Sequence, residues 1–229
     1  MMKHSTLPYP YHPPGRRVTA EEAEKFLLEK LKESGDDNEE ALWNLAHFYS
    51  CSGRQPEAIK YVERLITATD DPEKQASYYL ALGQLMEQMQ DYAAAISYYS
   101  HAFSLEPINN PTWYLINNNL GYCLNHFKKH TEAEGYCRNA IRIDQERHNA
   151  YKNLGIALEG QGKYPEAAES YFKAVKANAG DPRAFGLLEK LVVEHPEIQE
   201  QLPDILDQLK RCQDAVRAVA ELRRKSLEE

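Results

Sequence analysis

The chain lacks most of the features by which catalysis, membrane insertion or nucleic-acid binding show in a sequence. It has no apolar run of about 18 residues, the length that crosses a bilayer, so no membrane partner is expected. The first ten residues, Met-Met-Lys-His-Ser-Thr-Leu-Pro-Tyr-Pro, hold no apolar stretch of signal-peptide length. Its 4 cysteines, Cys51, Cys123, Cys137 and Cys212, are scattered and form no CxxC pair. In 229 residues that is no disulfide framework, and a reducing, cytoplasmic setting is expected. An excess of basic charge is also missing: 27 Lys and Arg stand against 35 Asp and Glu, a net charge of −8. A general nucleic-acid binder needs a basic face to displace counterions, so no nucleic-acid partner is expected. There is no Gly-rich phosphate loop and no nucleophile motif, hence no cofactor and no enzymatic activity are expected. His126 and His130 are four apart but flank a predicted turn. Cys123 and Cys137 could lie near each other across one predicted hairpin. Neither pair has a third ligand at metal spacing, and no metal site is expected.

What the chain has is a repeat. Leu45-Ala46, Leu82-Gly83, Leu120-Gly121 and Leu154-Gly155 are each followed, 13 residues past the leucine, by Ala58, Ala95, Ala133 and Ala167. Successive copies are 37, 38 and 34 residues apart. A period of that length is the mark of a stacked solenoid, in which each unit buries its apolar face on its neighbours. Two helices of about 13 to 16 residues with a tight turn fit each unit. The turns are placed at Gly53, Gln90-Asp91, Lys128-Lys129 and Gly162. Pro56, Pro72, Pro111 and Pro165 fall at helix starts, where a missing amide hydrogen costs nothing. The third unit is displaced by four residues, close to one turn of 3.6, and the added turn is placed on its first helix from Asn110-Pro111, where it carries Trp113.

The ends differ. Residues 1–18 hold Pro8, Pro10, Pro13 and Pro14 and read as an extended or disordered tail, with Tyr9-Pro10-Tyr11 as a segment able to dock on a groove. Thr19 and Glu22 form a capping box for a helix over 19–35 that Gly35 ends. After the fourth unit, Phe185, Leu188 and Val192 continue the apolar spacing. Glu189, however, takes the slot held elsewhere by Gly or Ala, and a carboxylate in a close helix crossing carries a large desolvation cost. Residues 182–229 are therefore read as a degenerate helix pair and a last helix from about Pro203 to Lys225. Leu202, Ile205, Leu209, Cys212, Val216 and Val219 make the apolar seam of that helix. The seam either caps the stack or pairs with a second copy as a short coiled coil, which would make a homodimer.

The repeat residues resemble the tetratricopeptide repeat (TPR), whose first helix carries an aromatic and Leu-Gly and whose second carries Ala, an aromatic and Ala. The fourth unit matches through Tyr151, Leu154-Gly155, Leu158, Ala167, Tyr171 and Ala174. The second matches through Tyr79, Leu82-Gly83, Ala95, Tyr99 and Ala102. The third has Asn117 in the aromatic slot, and the first has the weakest second helix. The resemblance covers about residues 39–180, in units of about 39–72, 73–110, 111–147 and 148–181. It implies an all-α, right-handed superhelical solenoid of antiparallel helix pairs with capping helices at both ends.

It also implies a protein-binding scaffold or adaptor with no catalysis, whose first helices line a concave face. The family's exposed slots lie two and one residues before the Leu and two after it. They hold Trp43, Asn44 and His47; Leu80, Ala81 and Gln84; Asn118, Asn119 and Tyr122; and Lys152, Asn153 and Ile156. Asn44, Asn119 and Asn153 share one slot, which resembles the asparagine ladders of some family superhelices. A carboxamide offers donors and an acceptor together, as a peptide group does. Alternatively these asparagines bond a neighbouring helix. Ala81 interrupts the series. Three neutral hydrogen bonds net about 0.5–1.5 kcal/mol each, whereas micromolar binding needs about 8 kcal/mol. Trp43 and Tyr122 are therefore the preferred anchors, unless they pack inside the stack. A second subclass of the family clamps C-terminal carboxylates with Lys and Arg. Here the corresponding slots hold Trp43, His47, Ala81, Leu115 and Asn119, or Leu80, Gln84, Asn119, Asn149 and Asn153, and none is Lys or Arg.

Overall fold

The structure, a computed structural model, describes residues 19–228. The tail with Tyr9-Pro10-Tyr11 lies outside the described residues. Every regular element among those residues is an α-helix. The chain forms two compact units that meet in sequence at Ile108 and Asn109.

The first unit holds α1 (Ala20–Ser34), α2 (Glu39–Cys51), α3 (Gln55–Thr67), α4 (Pro72–Gln88) and α5 (Tyr92–Ser104). Helices α2 and α3 form one antiparallel pair, α4 and α5 the next, and α1 closes the start by packing on α2. The Thr19–Glu22 capping box is complete in both directions, at 3.2 and 3.0 Å. Ala23, Leu27 and Leu31 of α1 are buried on the α2 side, and Glu24 accepts bonds from Tyr49 and Arg54, each at 2.8 Å.

The second unit holds α6 (Asn110–His126), α7 (His130–Ile143), α8 (His148–Glu159), α9 (Tyr164–Ala177), α10 (Pro182–Glu194), α11 (Ile198–Gln201) and α12 (Ile205–Glu228). Pairs α6/α7 and α8/α9 repeat the arrangement, and α12 lies on α9 and α10. Glu189 points to solvent while Leu188, Leu191 and Val192 are buried, so α10 avoids the carboxylate's desolvation by keeping that face open. Ile205 is buried, and Leu209 and Cys212 of the last helix pack on the same cluster. Arg223 Nη1 donates to the Gly180 carbonyl at 2.8 Å.

The four turns inside the pairs are one structure. The residue eight past each Leu has a positive φ: 73° at Gly53, 61° at Gln90, 57° at Lys128 and 74° at Gly162. The next amide returns to a carbonyl five residues back, from Arg54, Asp91, Lys129 and Lys163, at 2.9 to 3.0 Å. Only two of the four use glycine for the left-handed residue, although an L side chain there costs about 1–2 kcal/mol. The added turn placed on α6 is present, but α4 has it too: both run 17 residues against 13 for α2 and 12 for α8.

The Leu-Gly motif is steric. A Cβ on Gly83 would lie 2.3 Å from the Tyr99 ring, and one on Gly155 would lie 2.3 Å from the Tyr171 ring. Gly121 faces the Cys137 sulfur in the same way at 2.5 Å. The first pair has Ala46 in the glycine slot and the smaller Val62 in the ring's place. Both rings are fully buried, and their hydroxyls donate to carboxylates on the partner helix: Tyr99 to Glu87 at 2.9 Å and Tyr171 to Glu159 at 2.6 Å.

Candidate peptide-binding faces of the first helices

In the first unit, three of the sequence-predicted residues meet. Trp43 and His47 of α2 and Gln84 of α4 line one cavity of about 110 Å³, together with Ala46, Ser50, Val62, Ala81, Leu85 and Gln88. Trp43 does not pack inside the stack, for 42% of it is exposed. Its ring stands 5.9 Å from that of Tyr78, centroid to centroid. Tyr78 is itself fixed: its hydroxyl donates to Glu39 at 2.7 Å, and Lys74 reaches the same carboxylate. Burial and that carboxylate push the Tyr78 phenol above its ordinary pKa. The Lys74 and Tyr78 bonds hold Glu39 below its usual value. Asn44 is half-buried and is not among the cavity's lining residues.

In the second unit the sequence expectation needs correction. Asn118, Lys152 and Asn153, expected on an exposed face, are buried at 7, 8 and 2% exposure. The cause is the packing of α8 directly on α6. Asn153 Nδ2 donates to Asn118 Oδ1 at 3.1 Å, and Asn118 Nδ2 donates to Asn119 Oδ1 at 3.0 Å. Asn125 of α6 donates to the Asn153 carbonyl at 2.9 Å. The asparagines of α6 and α8 thus bond one another across the helix contact, the alternative left open by the sequence. Asn119 and Tyr122 remain half-buried at the edge of this chain of amides, and Tyr122 makes an edge contact with His126 at 4.7 Å.

Around these faces lie polar ties that the motif does not predict. Glu134 of α7 accepts from Gln161 at 2.7 Å, Lys163 at 3.0 Å and Arg138 at 2.8 Å. Burial works against its charge, but these donors prevail and bring its pKa down to about 2. Asp181 caps α10 and accepts from Arg183 and from His148 at the start of α8, with the Arg183 bonds first in holding its pKa well below the ordinary value. His126 and His130 belong to different helices, and no group of three or more His, Cys, Asp or Glu suited to a metal occurs among the described residues. Cys123 and Cys137 are buried free thiols, and burial pushes Cys137 up to about 12.

Repeated antiparallel pairs, an identical turn in each and a ring or sulfur seated on glycine are what a family assignment can be tested on. The tetratricopeptide repeat model matches residues 37–105 and 114–178, together more than half of the chain. The chain belongs to the tetratricopeptide repeat family. Small glutamine-rich tetratricopeptide repeat-containing protein 2 of Mycosarcoma maydis is 32% identical over 110 residues, which is 48% of this TPR chain and 30% of that protein. The chain therefore spans about a third of that relative's length. Among solved structures, MamA (41-end) of Desulfovibrio magneticus RS-1 superposes with a TM-score of 0.62 at 19% identity, over 83% of this chain and 97% of that one. YrrB, described as a TPR protein with an unusual peptide-binding site, gives 0.61 at 17% identity over 86% and 97%. At those identities the two structures share the TPR fold. No helix among the described residues is long and apolar enough to cross a membrane.

Proposed function

We propose that this TPR protein is a non-enzymatic adaptor that holds an extended segment of a partner protein against its first helices. The observation that carries the reading is Trp43, a large apolar side chain kept at the surface beside a cavity it helps to line, with the Tyr78 ring 5.9 Å from its own. Exposed aromatics of this kind supply most of the energy at protein interfaces. His47 and Gln84 line that cavity, Asn44 and Asn119 hold equivalent slots on α2 and α6, and such side chains match the donors and acceptors of a peptide backbone. The buried amides Asn118 and Asn153, with Lys152, act in this reading as the floor that orients Asn119 and Tyr122. The YrrB structure, by its description, has a peptide-binding site on the same fold, which supports the reading. A cytoplasmic location fits the four free thiols of the described chain.

The test is capture of partners by the immobilised full chain, followed by mass spectrometry, against an Asn119→Ala, Tyr122→Ala double variant. The expected result is a discrete set of partners lost from the variant, whose helical content and melting temperature stay as in the parent. Identical capture by both proteins would refute the assignment of this face. A second reading, dimerisation through α12, is favoured by Leu222, an apolar side chain of that helix that is 66% exposed. Light scattering on the full chain distinguishes the two, since the adaptor reading predicts the mass of one chain.

A further inference from the structure

The cavity between α2 and α4 has a definite size, polarity and frame, and these specify what enters it. Its floor is made of Ala46, Val62 and Leu85, all buried. Trp43 and the small Ala81 line it as well. No Lys, Arg, Asp or Glu lines it. A charged side chain entering would give up its water and find no counter-charge. An apolar cavity of about 150 Å³ holds a benzene ring. At about 110 Å³ this one, open at the surface, is smaller and suits a branched aliphatic side chain.

The rim supplies backbone partners. Gln84 and Gln88 lie one turn apart on α4 at the cavity's edge. The Gln88 Oε1 accepts from Ser50 Oγ at 3.5 Å and from Gln55 Nε2 at 3.4 Å, and the amide's NH₂ group is the part with which it can donate to a carbonyl.

We infer that this cavity is an anchor pocket for a single Val, Leu or Ile side chain of an extended peptide, with the Gln84 and Gln88 amides meeting the peptide groups on either side. The inference rests on the adaptor reading and adds to it the side-chain class that the first unit selects. The Ala81 gap in the asparagine series is then the opening through which the side chain enters.

The experiment is an array of acetylated ten-residue peptides with each position randomised in turn, probed with the full chain and with Ala81→Leu. Burying a branched aliphatic side chain in place of alanine corresponds to roughly ten- to hundredfold in affinity. The expected result is enrichment of Val, Leu or Ile at one position, by about tenfold over Ala and over Phe. The preference should vanish in Ala81→Leu while other positional preferences persist. Trp43→Ala, a change at an exposed site, provides a second variant should Ala81→Leu fold poorly, and it too should lose the preference. Peptides that bind without an aliphatic preference, or with one that both variants retain, overturn the pocket and leave the adaptor reading standing. An array with no bound peptide overturns both.

Discussion

Replacing Gly155 with alanine tests the packing that underlies every pair. The new Cβ would lie 2.3 Å from Cε1, 2.5 Å from Cδ1 and 2.9 Å from Cζ of Tyr171. Carbon atoms in contact rest at about 3.5–4.0 Å, so helix or ring must move by more than about 1 Å. The ring has no free direction: it is completely buried, and its hydroxyl is held by Glu159 at 2.6 Å. Overpacking of this kind costs about 1–3 kcal/mol, and losing a hydrogen bond to a charged group adds about 1.5–3 kcal/mol. A destabilisation of about 3–4 kcal/mol is expected, which lowers the melting temperature by roughly 10 °C in a chain of this size. The first pair contains the remedy, since Ala46 there faces Val62. Gly155→Ala combined with Tyr171→Val should therefore be more stable than the sum of the two single changes, by about 2 kcal/mol, a coupling proper to residues in direct contact. Urea unfolding followed by circular dichroism measures all four proteins. A single Gly155→Ala within about 1 kcal/mol of the parent, or additive double-mutant energies, would refute the argument.

Gly135 and Gly186 lie in helices with open space around a prospective Cβ. Alanine at either should raise stability by about 0.5–1 kcal/mol in the same urea assay. Glu134→Gln removes a carboxylate whose pKa falls from its ordinary 4.5 to about 2 on folding. A depressed folded pKa means its contribution, about 3 kcal/mol, is present above pH 4.5 and is lost as the pH falls toward 2. Parent and variant should thus differ at pH 7 and converge near pH 2; a gap unchanged by pH would contradict this. Thiol titration of the native protein should label exposed Cys51 fast and half-buried Cys212 more slowly, with Cys123 and Cys137 reacting only in denaturant.

The fold is legible in the sequence because its steric rule is local and repeated. Leu-Gly and the Ala 13 residues on mark the two sides of each close crossing, and the residue eight past the Leu marks each turn. The sequence carries a second signal. The residues five and seventeen past each Leu change together: Glu87 with Tyr99 and Glu159 with Tyr171, but Ser50 with Val62 and Asn125 with Cys137. The carboxylate is there only where a phenol donates to it. Without the ring, Asn125 turns to bond Asn153 and His130 instead.

The candidate site was less legible. The repeat treats every unit alike, yet burial of Asn118 and Asn153 depends on the packing of α8 on α6. Trp43 stays 42% exposed even with the Tyr78 ring 5.9 Å from its own. Ala81, read as a break in a ladder, lines a cavity, since a small residue is invisible as a feature until its neighbours are placed.

The account turns on whether the first helices hold a peptide. Calorimetric titration of the full chain with a peptide selected on the array, set against its Trp43→Ala variant, measures this directly. Losing an aromatic anchor at about 2 kcal/mol or more predicts an affinity reduced by at least about thirtyfold, with the melting temperature unchanged. Equal affinity of the two proteins for that peptide would contradict the account.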